Sequence, residues 1–311
     1  MKINLIFKII LFTITLLPLS YTQAQKTKKS YLDIIDYWKK ESFNKNVKEI
    51  TTEHTVYENN SGRFEKKIRT KSYTKSNKLF NKFGFIVSQI DQIKSYPFLG
   101  SKNQKTFTRI NYEYDTKNKL LKEKIYINLD TLTFKPIDTS NYSIKIYNYE
   151  NNKPLKECLE FNTLKVLIKK TVLTYDTIKR TLEIVVNNLE NNNKYQFKTI
   201  HEFDTNSVLI QQTYFQFGKM SGINVITYDE KGRKIRATLS SATSYYESSE
   251  SFKYDNQDFI IEERKGSNLD PGEKKYFNYT FDKNKNWLTK EIKTEDGNVV
   301  EYFKRKITYF K

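Results

Sequence analysis

Asn111-Tyr112-Glu113-Tyr114-Asp115-Thr116-Lys117-Asn118-Lys119-Leu120 is the stretch on which the reading of this chain turns. Polar and aromatic residues alternate up to an aromatic–acid pair, a polar run follows, and an apolar residue resumes five positions after the acid. Tyr149-Glu150 with Leu155, Phe203-Asp204 with Leu209 and Phe281-Asp282 with Trp287 repeat the arrangement. A unit that recurs along most of a chain predicts stacked copies of one β structure.

The acids fall at Asp115, Glu150, Asp176, Asp204, Asp229, Asp255 and Asp282, with spacings of 35, 26, 28, 25, 26 and 27. A degenerate earlier copy runs from Phe80 to Ile86. A period of about 26 residues holds two strands and two turns, so eight units predict about sixteen strands. The two long spacings predict insertions around 88–106 and 128–141, the second a loop containing Asp130, Pro136 and Asp138. Period-two alternation, as in Tyr279-Thr280-Phe281, makes one strand face aromatic and leaves Lys, Thr, Glu and Asn on the other. That pattern belongs to antiparallel strands with one wet face. The turns (Thr116 to Lys119, Glu230 to Arg233, Lys283 to Asn286) are rich in Asn, Lys and Gly. Asn and Gly accept positive φ, and an acid at the turn entrance can bond its own backbone, so the seven acids read as structural turn-formers.

Ahead of the array, Ser30-Tyr31-Leu32-Asp33 fits a capping box before an apolar stripe of Leu32, Ile35 and Trp38. It predicts one short helix, Tyr31 to Glu41, capping the first β unit. Residues 1–24 read as a signal peptide: Lys2 and Lys8, an apolar run from Ile9 to Leu17, then Thr22-Gln23-Ala24 as a cleavage site. The expected organisation is signal peptide 1–24, helical cap 25–46 and β-hairpin repeat domain 47–311. The fold class is all-β: a curled antiparallel sheet of about sixteen strands. No later stretch approaches the apolar length of a transmembrane helix.

Removing 1–24 takes away two lysines and no acid, so the formal charge falls from +18 to +16. Of 54 Lys and Arg only eight are Arg, and the lysines are evenly spread. Arg supplies the forked donors of base and phosphate readout, so sequence-specific nucleic-acid binding is not expected. A polyanionic surface, a glycan or a partner protein is the expected kind of partner. Cys158 is the single cysteine, which excludes an internal disulfide, and its alternating surroundings read as a small buried hydrophobe.

Asn111 to Leu120 and Ile226 to Ile235 resemble the YD-repeat (RHS-like) family, whose unit runs roughly Tyr-x-Tyr-Asp-x-x-Gly-x-Leu. The ending, Phe281 to Trp287 followed by Arg305 to Tyr309, resembles that of exported Bacteroidetes proteins with degenerate YD-type hairpin repeats. The resemblance runs from about residue 72 to the end. Most copies carry Asn, Lys or Ser where the family has glycine, and the period exceeds the family's usual one. It implies a scaffold that encloses or presents something, without a fixed catalytic residue.

Chemistry is sparse. His54 and His201 lie far apart and read as packed strand residues, and with one cysteine they give no metal-ligand spacing. No nucleophile elbow, phosphate-binding loop or zincin motif is present. Glu123, Glu157, Glu183 and Glu262 recur after the turns and read as surface partners of lysine rather than as one acid–base pair. Tyr245 and Tyr246, inside the serine-rich run Ser240 to Ser251, are the candidate ligand-binding residues, as stacking rings for a sugar. Trp38 and Trp287 read as core or cap residues. The expectation is an exported, periplasmic or cell-surface, non-enzymatic β-repeat protein that works as a binding or structural surface, with no cofactor and no metal. The alternatives are a polysaccharide-acting hydrolase with acids on the concave face, and an outer-membrane β-barrel, which about sixteen alternating strands would suit.

Overall fold

The computed structural model describes residues 47–310 except 62–65, 96–103, 118, 128, 130–134, 151–153 and 190–194. The signal segment, the expected helix and Trp38 lie outside the described residues. What is described is strands and turns. The first nine strands are β1 (Val47–Ser61), β2 (Lys66–Phe80), β3 (Ile86–Ser95), β4 (Gln104–Tyr114), β5 (Leu120–Tyr126), β6 (Ser143–Tyr149), β7 (Leu155–Phe161), β8 (Leu167–Asp176) and β9 (Thr181–Asn188). The remainder are β10 (Tyr195–Phe203), β11 (Leu209–Gln216), β12 (Lys219–Tyr228), β13 (Lys234–Ser241), β14 (Glu247–Tyr254), β15 (Ile260–Ser267), β16 (Glu273–Phe281), β17 (Trp287–Lys293) and β18 (Val299–Tyr309).

Each strand pairs antiparallel with the next, and β1 also pairs with β18, from Val47↔Tyr309 to Val56↔Glu301. The sheet therefore closes into an 18-stranded up-and-down barrel, where the sequence predicted a curled sheet of about sixteen strands. The physical reason is local. The acid-turn hairpins account for β2 through β17, while β1 and β18 carry no acid turn of their own and pair with each other across the seam. Closure removes the two unpaired edges that a curled sheet would expose. The insertion expected at 88–106 is mostly strand, since Ile86–Ser95 and the start of β4 continue the ladder. The one at 128–141 is a loop whose Leu129 bridges Pro136 and packs with Phe107, Tyr126 and Tyr142.

The acid turns share one geometry and lie at one rim, where β1 begins and β18 ends. Asp115 Oδ1 accepts from the backbone N–H of Lys117 (2.8 Å) and Lys119 (2.7 Å). Asp204, Asp229, Asp255 and Asp282 do the same with the residues two and four positions on. Such charge-assisted bonds are worth about 1.5–3 kcal/mol each. Three positions after the acid the backbone turns left-handed, at Ser207, Gly232, Asp258 and Lys285, with φ of 64°, 77°, 69° and 63°. This is the place of the YD-repeat glycine, which has no Cβ to clash there. Asn81 builds the same turn after β2, and Asn162 builds it at the opposite rim. Asp176 departs from the scheme, accepting from Ile178 and Lys179 in a turn without a bulge. The turn after Glu150 includes residues outside those described; its carboxylate lies 3.8 Å from Lys156. In the other copies a register shift falls at the aromatic before the acid, as at Glu113/Tyr114 and Thr280/Phe281. Such a bulge lets the first residue after the turn, Leu120 or Trp287, join the aromatic face.

Candidate binding wall in the barrel lumen

Directly paired residues share a face, so one row runs Leu182↔His201↔Gln212↔Asn224↔Leu239↔Ser248↔Ser267 across β9 to β15. This face points inward. Its side chains meet across non-adjacent strands, as when Ile50, Phe80, Tyr112 and Leu120 pack with Tyr147 and Ile307. Leu155, Leu173, Leu182 and Phe203 form a second inner cluster with Tyr149, Tyr175 and Leu209. Both clusters sit toward the acid-turn rim. An 18-stranded barrel is wider than its own side chains fill, so apolar packing at one rim leaves lumen beyond it.

The outer face is different. Every strand except β6, β11 and β12 places a charged residue there. Cross-strand ion pairs run along it: Lys75–Glu53 (3.2 Å), Lys124–Glu113 (2.7 Å), Lys170–Glu157 (2.9 Å), Lys198–Glu183 (3.1 Å) and Lys253–Glu262 (3.0 Å). Glu157, Glu183 and Glu262 thus pair with lysine on the surface. Glu123 departs from that expectation: it faces the lumen, is 4% exposed and accepts from Tyr147 Oη at 2.6 Å. The Tyr147 hydroxyl titrates well above its usual range, because burial and then Glu123 disfavour its anion. Cys158 also lies on the inner face, opposite Tyr147, and burial pushes its thiol up to about 11. A thiol held neutral in this way is a packing residue, not a nucleophile.

His201 is half-buried in the wall, and desolvation lowers it to about 4. His54 is a different histidine. It stacks on Phe303 with ring centroids 3.9 Å apart, and its Nε2 lies 3.0 Å from Glu301 Oε2. Lys275 reaches the other Glu301 oxygen at 3.4 Å. The His54 hydrogen bond, opposed by burial and assisted by Lys275, holds the Glu301 carboxyl below its ordinary value.

Around these residues lies the densest group of cations and rings on the inner wall. Pairing sets one row as Tyr279↔Lys290↔Phe303↔His54 across β16, β17, β18 and β1. The Lys290 ammonium sits 4.0 Å from the Phe303 centroid, with the Trp287 and Phe277 rings at 5.9 and 6.0 Å. Desolvation lowers Lys290 to about 8, with Glu301 opposing and Arg305 adding to the shift. The Arg305 guanidinium stacks on Trp287 at 3.5 Å. Toward the acid-turn rim, Phe259, Tyr279 and Phe281 continue the aromatic surface. The wall can therefore hold a ligand that is apolar over most of its surface and meets fixed positive charge.

Sequence reasoning missed this group. Trp287 is a core residue, 7% exposed, as read from the sequence, but its place beside Lys290 and Arg305 appears only once β17 and β18 are in register. The Asp296-Gly297 turn between them, closed by a Gly297 N–H to Thr294 carbonyl bond, was the available signal. Tyr245 lies far from this wall in chain order, at the tip of the β13–β14 turn on the opposite rim, fully exposed at 101%, with Tyr246 half-buried beside it. Among the described residues no group of three potential metal ligands occurs, and no helix is long and apolar enough to cross a membrane.

No family model matches the chain, and no curated protein matches it. Among solved structures it is similar to a porin-like protein from Bacteroides uniformis, at 10% identity over 84% of this chain and 96% of that one, with a TM-score of 0.43. A porin-like protein from Bacteroides vulgatus matches at 12% identity over 70% of this chain and 97% of that one, with a TM-score of 0.29. The TcdB2-TccC3-Cdc42 structure matches at 11% identity over 71% of this chain and 15% of that one, with a TM-score of 0.19.

Proposed function

We propose that the protein is an exported, non-enzymatic barrel of the YD-repeat kind that takes a ligand into its lumen while its outer wall stays in water. The observation that carries this reading is the chemistry of the two faces: charged and ion-paired outside, aromatic with embedded cations inside. Export rests on the signal segment at 1–24. Kinship with YD repeats rests on the acid turn and its left-handed fourth position. A glycan, a polyanion or a protein segment are the partner classes the reading admits. Of the inner carboxylates among the described residues, Glu123, Glu160, Glu250, Glu263 and Glu301 are engaged by a tyrosine, lysine or histidine and Asp91 by the Gln89 amide, which favours binding over acid–base hydrolysis.

A second reading, an outer-membrane barrel, is favoured by closure, by the even strand number and by the start of β1 and end of β18 meeting at the rim of short, uniform turns. These features suit it better than they suit an open curled sheet. Its cost lies in the outer face, where a lysine or arginine at the bilayer midplane costs about 2–4 kcal/mol. Envelope fractionation separates the two. Release with the soluble contents on osmotic shock, or with an alkaline wash, is the expected result. Retention in the membrane pellet until detergent is added would establish the membrane reading instead.

A further inference from the structure

On the premise that the lumen takes a ligand, we infer that the wall formed by β16, β17, β18 and β1 is a binding site for an oxyanion, a carboxylate or phosphate monoester, carried on an apolar body. Two independent features of the wall point to an anion. The first is Lys290, whose ammonium rests on rings and has neither ion-pair nor hydrogen-bond partner among the described residues. Glu301, the acid nearest in the ladder, is committed to His54 and Lys275, and Glu263 to Lys265. A cation taken out of water without a counter-charge is costly and calls for one. The second is Trp287, whose Nε1–H is buried and without a hydrogen-bond partner in a side chain that is 7% exposed. Buried indole N–H groups ordinarily find an acceptor.

Ammonium, indole N–H and guanidinium are all donors, and a group that accepts from several donors at once is an oxyanion. The neighbouring surface specifies what carries it. Phe277, Phe303, Phe281 and Phe259 offer rings without hydroxyls. An alkyl or aromatic body would lie along them and be released from water.

The test uses the full exported protein with Trp38→Phe, so that Trp287 is the fluorescent reporter, titrated with decanoate, decyl phosphate and decanol below micelle-forming concentrations. Both anions should quench Trp287, with decanol at least tenfold weaker, and Lys290→Met should weaken anion binding tenfold or more with an unchanged circular dichroism spectrum. The two anions against each other distinguish fatty-acid-like from phosphate-bearing ligands. Binding should also take up protons near pH 8, because an anion raises the affinity of Lys290 for its proton in the field of Glu301, Glu263, Arg305, Lys275 and His54; calorimetry in buffers of different ionisation enthalpy reads this. Equal binding of decanol would overturn the oxyanion site while leaving a lumen ligand standing. Unchanged affinity in Lys290→Met, or no binding of any of the three, would overturn it outright. If Lys290→Met does not fold, Trp287→Phe followed by calorimetry decides: several-fold weaker binding is expected, and unchanged binding overturns the site. Detergent-dependent extraction in the fractionation would overturn the water-bathed reading without touching this result.

Discussion

Leu182→Ala is expected to lower the free energy of unfolding by roughly 2–5 kcal/mol. Leu182 is 1% exposed and packs with Leu155, Leu173 and Phe203, side chains delivered by four successive strands. The backbone around it is fixed by ladders on both sides, β8 and β10, so the wall cannot collapse into the space left behind. The loss therefore combines the transfer term of the missing methyls with a persistent cavity. Ile178→Ala is the control: Ile178 is 91% exposed in the turn just before β9 and should change stability by no more than about 0.5 kcal/mol. Urea unfolding midpoints of the two variants measure the contrast. Equal effects would mean that the inner cluster is not a core.

Lys290→Met is expected to act in the opposite direction, raising the stability of the unliganded protein by about 1–3 kcal/mol. The wild-type ammonium has given up water for rings and has no ion pair among the described residues, whereas a thioether of similar length loses nothing there. Lys253→Met on the outer wall removes an exposed lysine paired with Glu262 and should move stability by less than about 1 kcal/mol. The pH dependence supplies a second readout. With Lys290 at about 8 in the folded state against 10.5 ordinarily, the unfolded chain binds more protons across that window. Stability contributed by this site therefore rises as pH goes from about 8 to 10.5, and the rise should vanish in Lys290→Met. A variant gaining stability while losing anion affinity would show that the wall carries Lys290 for binding, at the expense of folding.

The turn unit was legible because its chemistry is local. An acid, two polar residues and a left-handed fourth position fit within one five-residue span, so Asp115, Asp204, Asp229, Asp255 and Asp282 announce themselves. Closure was not, because it depends on β1 and β18, which lack that unit and lie some 250 positions apart in the chain, as His54 and Glu301 do at |i−j| = 247. The inner cluster was hidden for a related reason. A bulge at every aromatic–acid pair but Tyr175–Asp176 shifts the alternation by one, so counting from Phe281 alone does not say that Trp287 and Lys290 share the aromatic face. Glu123 shows how much one position matters: it stands three residues after Leu120 where Glu157 stands two after Leu155, so in the same ladder Lys122 takes Glu157's outward place and Glu123 takes Cys158's inward one.

The seam between β1 and β18 is the claim on which the lumen, its wall and its ligand all depend. Spin labels at Glu53→Cys and Lys304→Cys, with Cys158→Ser, place one probe on each outer face across that seam, at directly paired positions. Adjacent strands lie about 4.8 Å apart, so a closed barrel predicts a single narrow distance population under about 20 Å once label arms are included. The first and last strands of an open sheet of this size would stand up to about 80 Å apart, curling to less. A broad population beyond about 40 Å would contradict closure and, with it, the account of the inner wall.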